Sequence, residues 1–268
     1  MIYTTTRFEA QQTTNDTLLI GVGTAVHTVA VVDQTMHLKF AASYTPGEVD
    51  PEISAVLEHP FSTVKIGVAD SLYTFIPSEV YDEQQQESYL HYLPFDGVGT
   101  TGTADVAQLK LKMLYQCSRL GWEELAARFP DAVVYPQMRG LLNAVALRGG
   151  HVNVPLLIVE RHASWTSMAV FADGGFLYAH DMEIHQEDDF TYYIAAVLEE
   201  LGLTGREITI QLAGDVETGD GYYARAAAFG GKVELADTDI LTGIRVPEAV
   251  TPHQHRFLSL LGLYACAS

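Results

Sequence analysis

Gly97-Val98-Gly99-Thr100-Thr101-Gly102 is a literal G-x-G-x-x-G, the spacing that cradles a dinucleotide pyrophosphate. That chemistry needs a strand before the glycines and a helix after them. Thr103–Cys117 instead alternates like a strand, with Leu109, Leu111 and Met113 against Lys110 and Lys112, so the glycines are expected in a loop. A second cluster holds His180, Asp181, Glu183 and His185. On a strand Asp181, Glu183 and His185 share one face and could ligate a metal. The competing and preferred reading is an exposed polar face, followed by a helix whose start carries Glu187, Asp188 and Asp189. His253 and His255 fall in the first turn of a helix and read as solvent-facing. Cys117 lies on a strand pattern without a base to lower its pKa, so it reads as inert. No G-x-S-x-G occurs, and Ser164 merely precedes Trp165. None of these residues names a reaction.

The elements that would position them are clearer. Leu18–Gly23, Thr28–Asp33 and His37–Thr45 read as a three-strand meander. A helix opens at Asp50 or Pro51, carries Ile53, Val56 and Leu57 on one face, and ends at Pro60. Val64–Ala69 reads as a buried strand. Trp122, Leu125, Ala126 and Phe129 make an amphipathic helix, Ala132–Tyr135 a strand, and Met138, Leu141, Leu142 and Val145 a further helix. The order then repeats. Leu156–Arg161, Thr166–Ala172 and Phe176–Ile184 are strands, the last two joined by a turn at Asp173-Gly174-Gly175. The helix of Phe190, Ile194, Val197 and Leu201 follows, then strand Ile208–Leu212, helix Tyr222–Phe229, strand Lys232–Leu235, and a last helix capped by Thr251 with Pro252 at its first position. Each half reads βββαβαβα. The first, 1–150, carries an insertion at about 72–117, and the second is 151–268.

Composition bounds the partners. Lys and Arg number 15 against 34 Asp and Glu, a net charge of −19. Phosphate neutralisation needs clustered cations, so nucleic acid is excluded as a partner, and anionic membrane surfaces are disfavoured. Met1–Thr17 lacks a basic segment followed by an apolar run, and no run approaches the ~20 apolar residues of a membrane span. Two isolated cysteines, Cys117 and Cys266, fit a reducing compartment. The cytoplasm is the expected location.

The duplicated βββαβαβα order resembles the actin-like ATPase superfamily, with its ribonuclease H-like halves. More closely, the chain resembles an uncharacterised bacterial domain-of-unknown-function family with that fold. The residues that carry this are Leu18-Leu19-Ile20-Gly21, the segment Tyr73-Thr74-Phe75-Ile76-Pro77-Ser78-Glu79 with Tyr81, and Leu114-Tyr115 ahead of the helix ending in Phe129-Pro130.

The superfamily resemblance implies ATP between the halves, held by an Asp-x-Gly-[Thr/Ser] loop from each and a glycine-rich adenosine turn. In the first half Gly21-Val22-Gly23-Thr24 matches, with Gly21 where Asp is expected. In the second half Glu160-Arg161-His162 matches, with His162 where Gly is expected. Leu212-Ala213-Gly214-Asp215 stands for the adenosine turn and has one glycine of the pair. The implied nucleotide residues are therefore Gly21, Gly23, Thr24, Glu160, Arg161, Gly214 and Asp215, all in degraded motifs. The expectation is a non-catalytic protein-binding adaptor with no resident cofactor beyond residual ATP/Mg²⁺ binding. The alternative is a nucleotide-binding switch or phosphotransferase with an altered site.

Overall fold

The structure is a computed structural model. It describes residues 2–4, 14–94, 99–149, 154–163, 165–229 and 231–266. The chain runs through strands β1 (Ile2–Thr4), β2 (Thr17–Val22), β3 (His27–Val32) and β4 (Leu38–Tyr44) to helix α1 (Pro51–Glu58). The Asp50 carboxylate accepts the Glu52 N–H and Pro51 fills the first turn, so α1 starts where sequence chemistry places it. Strand β5 (Thr63–Val68) follows. The inserted segment comprises β6 (Ser71–Pro77), a short helix α2 (Gln86–Leu90), β7 (Thr100–Val106) and β8 (Leu111–Cys117). Then come α3 (Glu123–Arg128), β9 (Val133–Pro136) and α4 (Gln137–Gly149).

The second half holds β10 (Leu156–His162), β11 (Trp165–Ala172), β12 (Gly175–Glu183), α5 (Glu187–Glu200), β13 (Thr209–Gly214), α6 (Gly221–Ala227), β14 (Lys232–Leu235), α7 (Thr238–Thr242) and α8 (Leu258–Gly262). Asp173 and Gly174 both take positive φ, 52° and 78°, as the tight β11–β12 turn requires.

The duplication is explicit in the sheets. The first has order β1-β4-β3-β2-β5-β9 and the second β12-β11-β10-β13-β14. Setting aside β1, β4-β3-β2-β5-β9 and β12-β11-β10-β13-β14 correspond one to one. In each, the first three strands are antiparallel and the last two pairings parallel. Strand β1 pairs with β4 and was not foreseen in the polar N-terminal segment.

Several local readings are revised. Gly99 to Thr103 is not wholly loop, since β7 begins at Thr100; Gly97 and Val98 lie outside the described residues. The last helix opens as a 3-10 segment, Thr251–Phe257, before becoming α8. His255 does not face solvent: it is buried, with Nε2 2.9 Å from the Val216 carbonyl. Short helix α7 was not anticipated.

The inserted strands form a separate antiparallel sheet, β6-β8-β7. Alternation on β10 divides the second half's apolar residues between two cores. Leu157 and Val159 join Phe190 and Ile194 of α5, whereas Leu156 and Ile158 join a core shared with the first half. Helices α4 and α8 cross in that shared core at glycines. A Cβ on Gly140 would lie 2.1 Å from the Ser259 carbonyl oxygen, and one on Gly262 2.0 Å from that of Gly140. The small residues let the two backbones touch.

A buried polar cluster between the halves as the candidate functional site

The face of β10 that sends Leu156 and Ile158 into the shared core continues with Glu160 and His162. Register extends it sideways: Glu160 is opposite Ser167 on β11, which is opposite Asp181 on β12. The first half contributes Gln137 from the start of α4 and Tyr73 from β6. Ser259 comes from α8.

Glu160 is 1% exposed. Its Oε1 accepts the Ser259 backbone N–H at 3.0 Å. Its Oε2 has no hydrogen bond and stands 3.6 Å from His162 Nε2. The Gln137 amide nitrogen lies 2.8 Å from His162 Nε2 and donates to Ser259 Oγ at 2.9 Å. A neutral imidazole accepts from that amide, and a protonated one needs the amide turned over. Burial lowers the His162 pKa, but the adjacent Glu160 carboxylate more than offsets it, and the balance is upward.

Beside this pair, Ser167 Oγ donates to Asp181 Oδ1. The Tyr73 hydroxyl is buried near the same carboxylate without a well-formed hydrogen bond. Burial pushes the Asp181 carboxyl up to about 6, against the lowering pull of Ser167, Tyr73 and His162. Burial and Asp181 together drive the Tyr73 phenol well above its usual range. The cluster can therefore hold a proton near neutral pH on Asp181 or His162.

The residues implied for a nucleotide fall into two groups. Glu160, Arg161, Gly214 and Asp215 meet at the ends of β10 and β13. Only Glu160 points between the halves. The Arg161 guanidinium stacks 4.0 Å over the Tyr222 ring, and its Nη1 donates to the Asp215 carbonyl at 2.9 Å. Gly214 takes φ +77°, and a Cβ there would stand 2.0 Å from the Arg161 carbonyl oxygen. The Asp215 carboxylate pairs with Arg256 at 3.0 Å, and Arg256 also bonds Glu217.

Gly21, Gly23 and Thr24 form the other group, on β2 and its exit. A Cβ on Gly21 would meet Thr28 Oγ1 at 2.3 Å and Leu260 at 3.6 Å, so an aspartate there must displace Thr28. A Cβ on Gly23 would lie 2.4 Å from the Val26 carbonyl oxygen, and Thr24 is exposed. Neighbouring residues of α8 thus touch both groups: Ser259 binds Glu160 while Leu260 abuts Gly21.

Asp181, Glu183 and His185 do not converge. Asp181 is in the cluster, while Glu183 and His185 form an exposed pair at 3.6 Å. Among the described residues no group of three or more His, Cys, Asp or Glu could hold a metal. Both cysteines are buried and free, and burial raises each thiol. No helix among the described residues is long and apolar enough to cross a membrane.

Comparison with known proteins places this fold. The family model described as "Protein of unknown function (DUF3822)" matches residues 5–233. The chain belongs to the DUF3822 family. A protein of unknown function with an actin-like ATPase fold, from Bacteroides thetaiotaomicron, superposes with TM-score 0.71 at 17% identity, covering 97% of this chain and 100% of that one. The PilM–PilN type IV pilus biogenesis complex matches with TM-score 0.67 at 13% identity, over 92% and 97%. No curated protein matches in sequence. These likenesses establish the actin-like ATPase fold of this DUF3822 member.

Proposed function

We propose that this DUF3822 protein is a non-catalytic adaptor of the cytoplasm that uses its actin-like frame, halves 1–150 and 151–268, to bind another protein. The observation that carries the reading is α8 standing between the two implied phosphate loops, with Ser259 N–H on Glu160 and Leu260 against Gly21. Groups that would meet a nucleotide are engaged internally: Asp215 with Arg256, and Arg161 with Tyr222. The similarity in fold to PilM, captured in complex with PilN, supports a role in holding a partner.

A nucleotide-binding switch or phosphotransferase is the second reading. It is favoured by Glu160 Oε2, a buried carboxylate oxygen without a hydrogen bond. Thermal denaturation with and without Mg²⁺-ATP or ADP separates the two. The adaptor shows no shift. A switch at ligand about 100 times its dissociation constant gains about 2.7 kcal/mol. Steady ATP turnover by pure protein, abolished by Glu160→Gln, overturns the adaptor reading.

A further inference from the structure

Away from the inter-half cluster, the first half has a pocket of about 480 Å³ between the end of β4, α1 and α3. Its inner wall is aromatic. Trp122 is 3% exposed and its indole N–H is already donated to the Ser118 carbonyl at 2.8 Å, so ring carbon remains for a guest. His27 meets Tyr44 edge-on, with ring centroids 5.5 Å apart. Burial lowers the His27 pKa and raises that of Tyr44 to about 12, so both rings are neutral at pH 7. His27 is 4% exposed, its ring held against the backbone of Gly23, Val26 and Gly121, so it offers the pocket a ring edge rather than a free polar group.

The rim differs from the wall. Exposed Val49 lines the mouth, and exposed Leu120 adjoins Gly121, which also lines it. Together they add apolar area at the mouth for a bound group to cover. The charges at the mouth are Glu123 and Glu124 against Arg128, and an adjoining depression that shares Tyr44 adds Glu48 and Asp50. On a chain of net charge −19, this acidic rim favours a basic partner.

We propose that this pocket receives an aromatic side chain from a segment of a partner protein in which the flanking residues are lysine or arginine. The assignment rests on the adaptor reading and names its docking site. An aromatic ring matches the Trp122 and Tyr44 walls, and its cationic neighbours lie against the acidic rim.

The test uses three blocked pentapeptides, each with one central residue between two pairs of charged ones: tryptophan in lysines, alanine in lysines, and tryptophan in glutamates. Binding is read by NMR at the Trp122 indole and the His27 ring. The tryptophan–lysine peptide is expected to shift both signals. The alanine peptide leaves them in place, and the glutamate peptide binds about tenfold more weakly. Ser54→Trp, which fills the pocket from α1, abolishes the shifts at an unchanged melting temperature, and Glu123→Lys with Glu124→Lys weakens them. Equal binding of all three peptides, shifts scattered over the acidic surface, or full binding by either variant overturns the assignment. Absence of peptide binding in a protein that also ignores nucleotide removes this site and leaves the adaptor reading standing, whereas ATP turnover removes the reading itself.

Discussion

Asp181 is held between Ser167 and Tyr73 with its carboxyl pushed up to about 6 by burial, against an ordinary value of 3.8. A raised folded pKa means the folded chain favours the protonated acid. The stability this contributes is fully present below about pH 4 and is lost as pH rises through about 6, on the order of 3 kcal/mol. The raised pKa of His162 acts in the same direction, since its contribution is present below 6.5 and lost above its folded value. Asp181→Asn keeps an acceptor for Ser167 and removes the titration. The stability difference between variant and native protein is therefore expected to move in the variant's favour from pH 4.5 to pH 7.5, measured by urea unfolding. A difference that stays constant across that range rejects this account. Glu160, His162 and Asp181 are all conspicuous in the sequence, yet sequence reasoning assigned them to separate sites. What joins them is register. The Asp173-Gly174 turn, counted without a bulge, sets Ser167 opposite His180. The irregularity at Val170/Phe171 shifts the pairing to Asp181. Nothing local in the sequence announces that bulge, and Tyr73, Gln137 and Ser259 arrive from elements far along the chain.

Elements were legible where one periodicity dominated. The three-strand meanders, α1 with its Asp50-Pro51 start, and the stripe of α5 all follow from apolar spacing. Thr103–Cys117, read as one strand, is instead the β7–β8 hairpin, because alternation runs on through the 3-10 turn Ala107–Leu109 and left-handed Lys110; glycine and threonine disguise the start of β7, and the helical apolar spacing of Phe257, Leu260, Leu261 and Tyr264 does not separate α from 3-10. The crossing of α4 and α8 was wholly invisible, since Gly140 and Gly262 look like weak points in helices. Their role is contact: backbone meets backbone where a Cβ would intrude. Gly140→Ala must drive the helices apart, and it is expected to cost about 1–3 kcal/mol despite alanine's better helix propensity. Gly175→Ala is the control, as the added Cβ meets nothing closer than 3.9 Å at an unstrained φ. Thermal unfolding of both variants decides the matter. Equal stability of the two would show that the crossing relaxes freely.

The duplicated architecture was readable from the order of elements although the two halves share little residue identity. The reach of the insertion was not. Its sheet does not merely decorate the first half. Phe75 packs edge-on against Phe176 of β12 at 5.7 Å, and Phe176 in turn meets Phe171 at 5.8 Å. Tyr73, two residues away on the same strand face, is buried beside Asp181. The aromatic contact and the Asp181 environment meet here: the inserted sheet packs on β12 and sets the Tyr73 hydroxyl beside the carboxyl. Phe75→Ala removes two aromatic contacts of about 1 kcal/mol each, one with Phe176 across to β12 and one at 5.4 Å with Tyr73, the cluster's own residue on β6. If the inserted sheet is what dries Asp181, water enters and its pKa falls from about 6 toward the ordinary carboxylate range, while amide protection drops in β6 and β12 and persists in α5. Carbon-detected NMR titration of the Asp181 carboxyl, with hydrogen exchange on the same sample, reads both effects. An unmoved Asp181 beside a loosened β6 would mean that β11 and Ser167 alone set the acid's environment, and that the insertion is joined to the second half by packing without governing its chemistry.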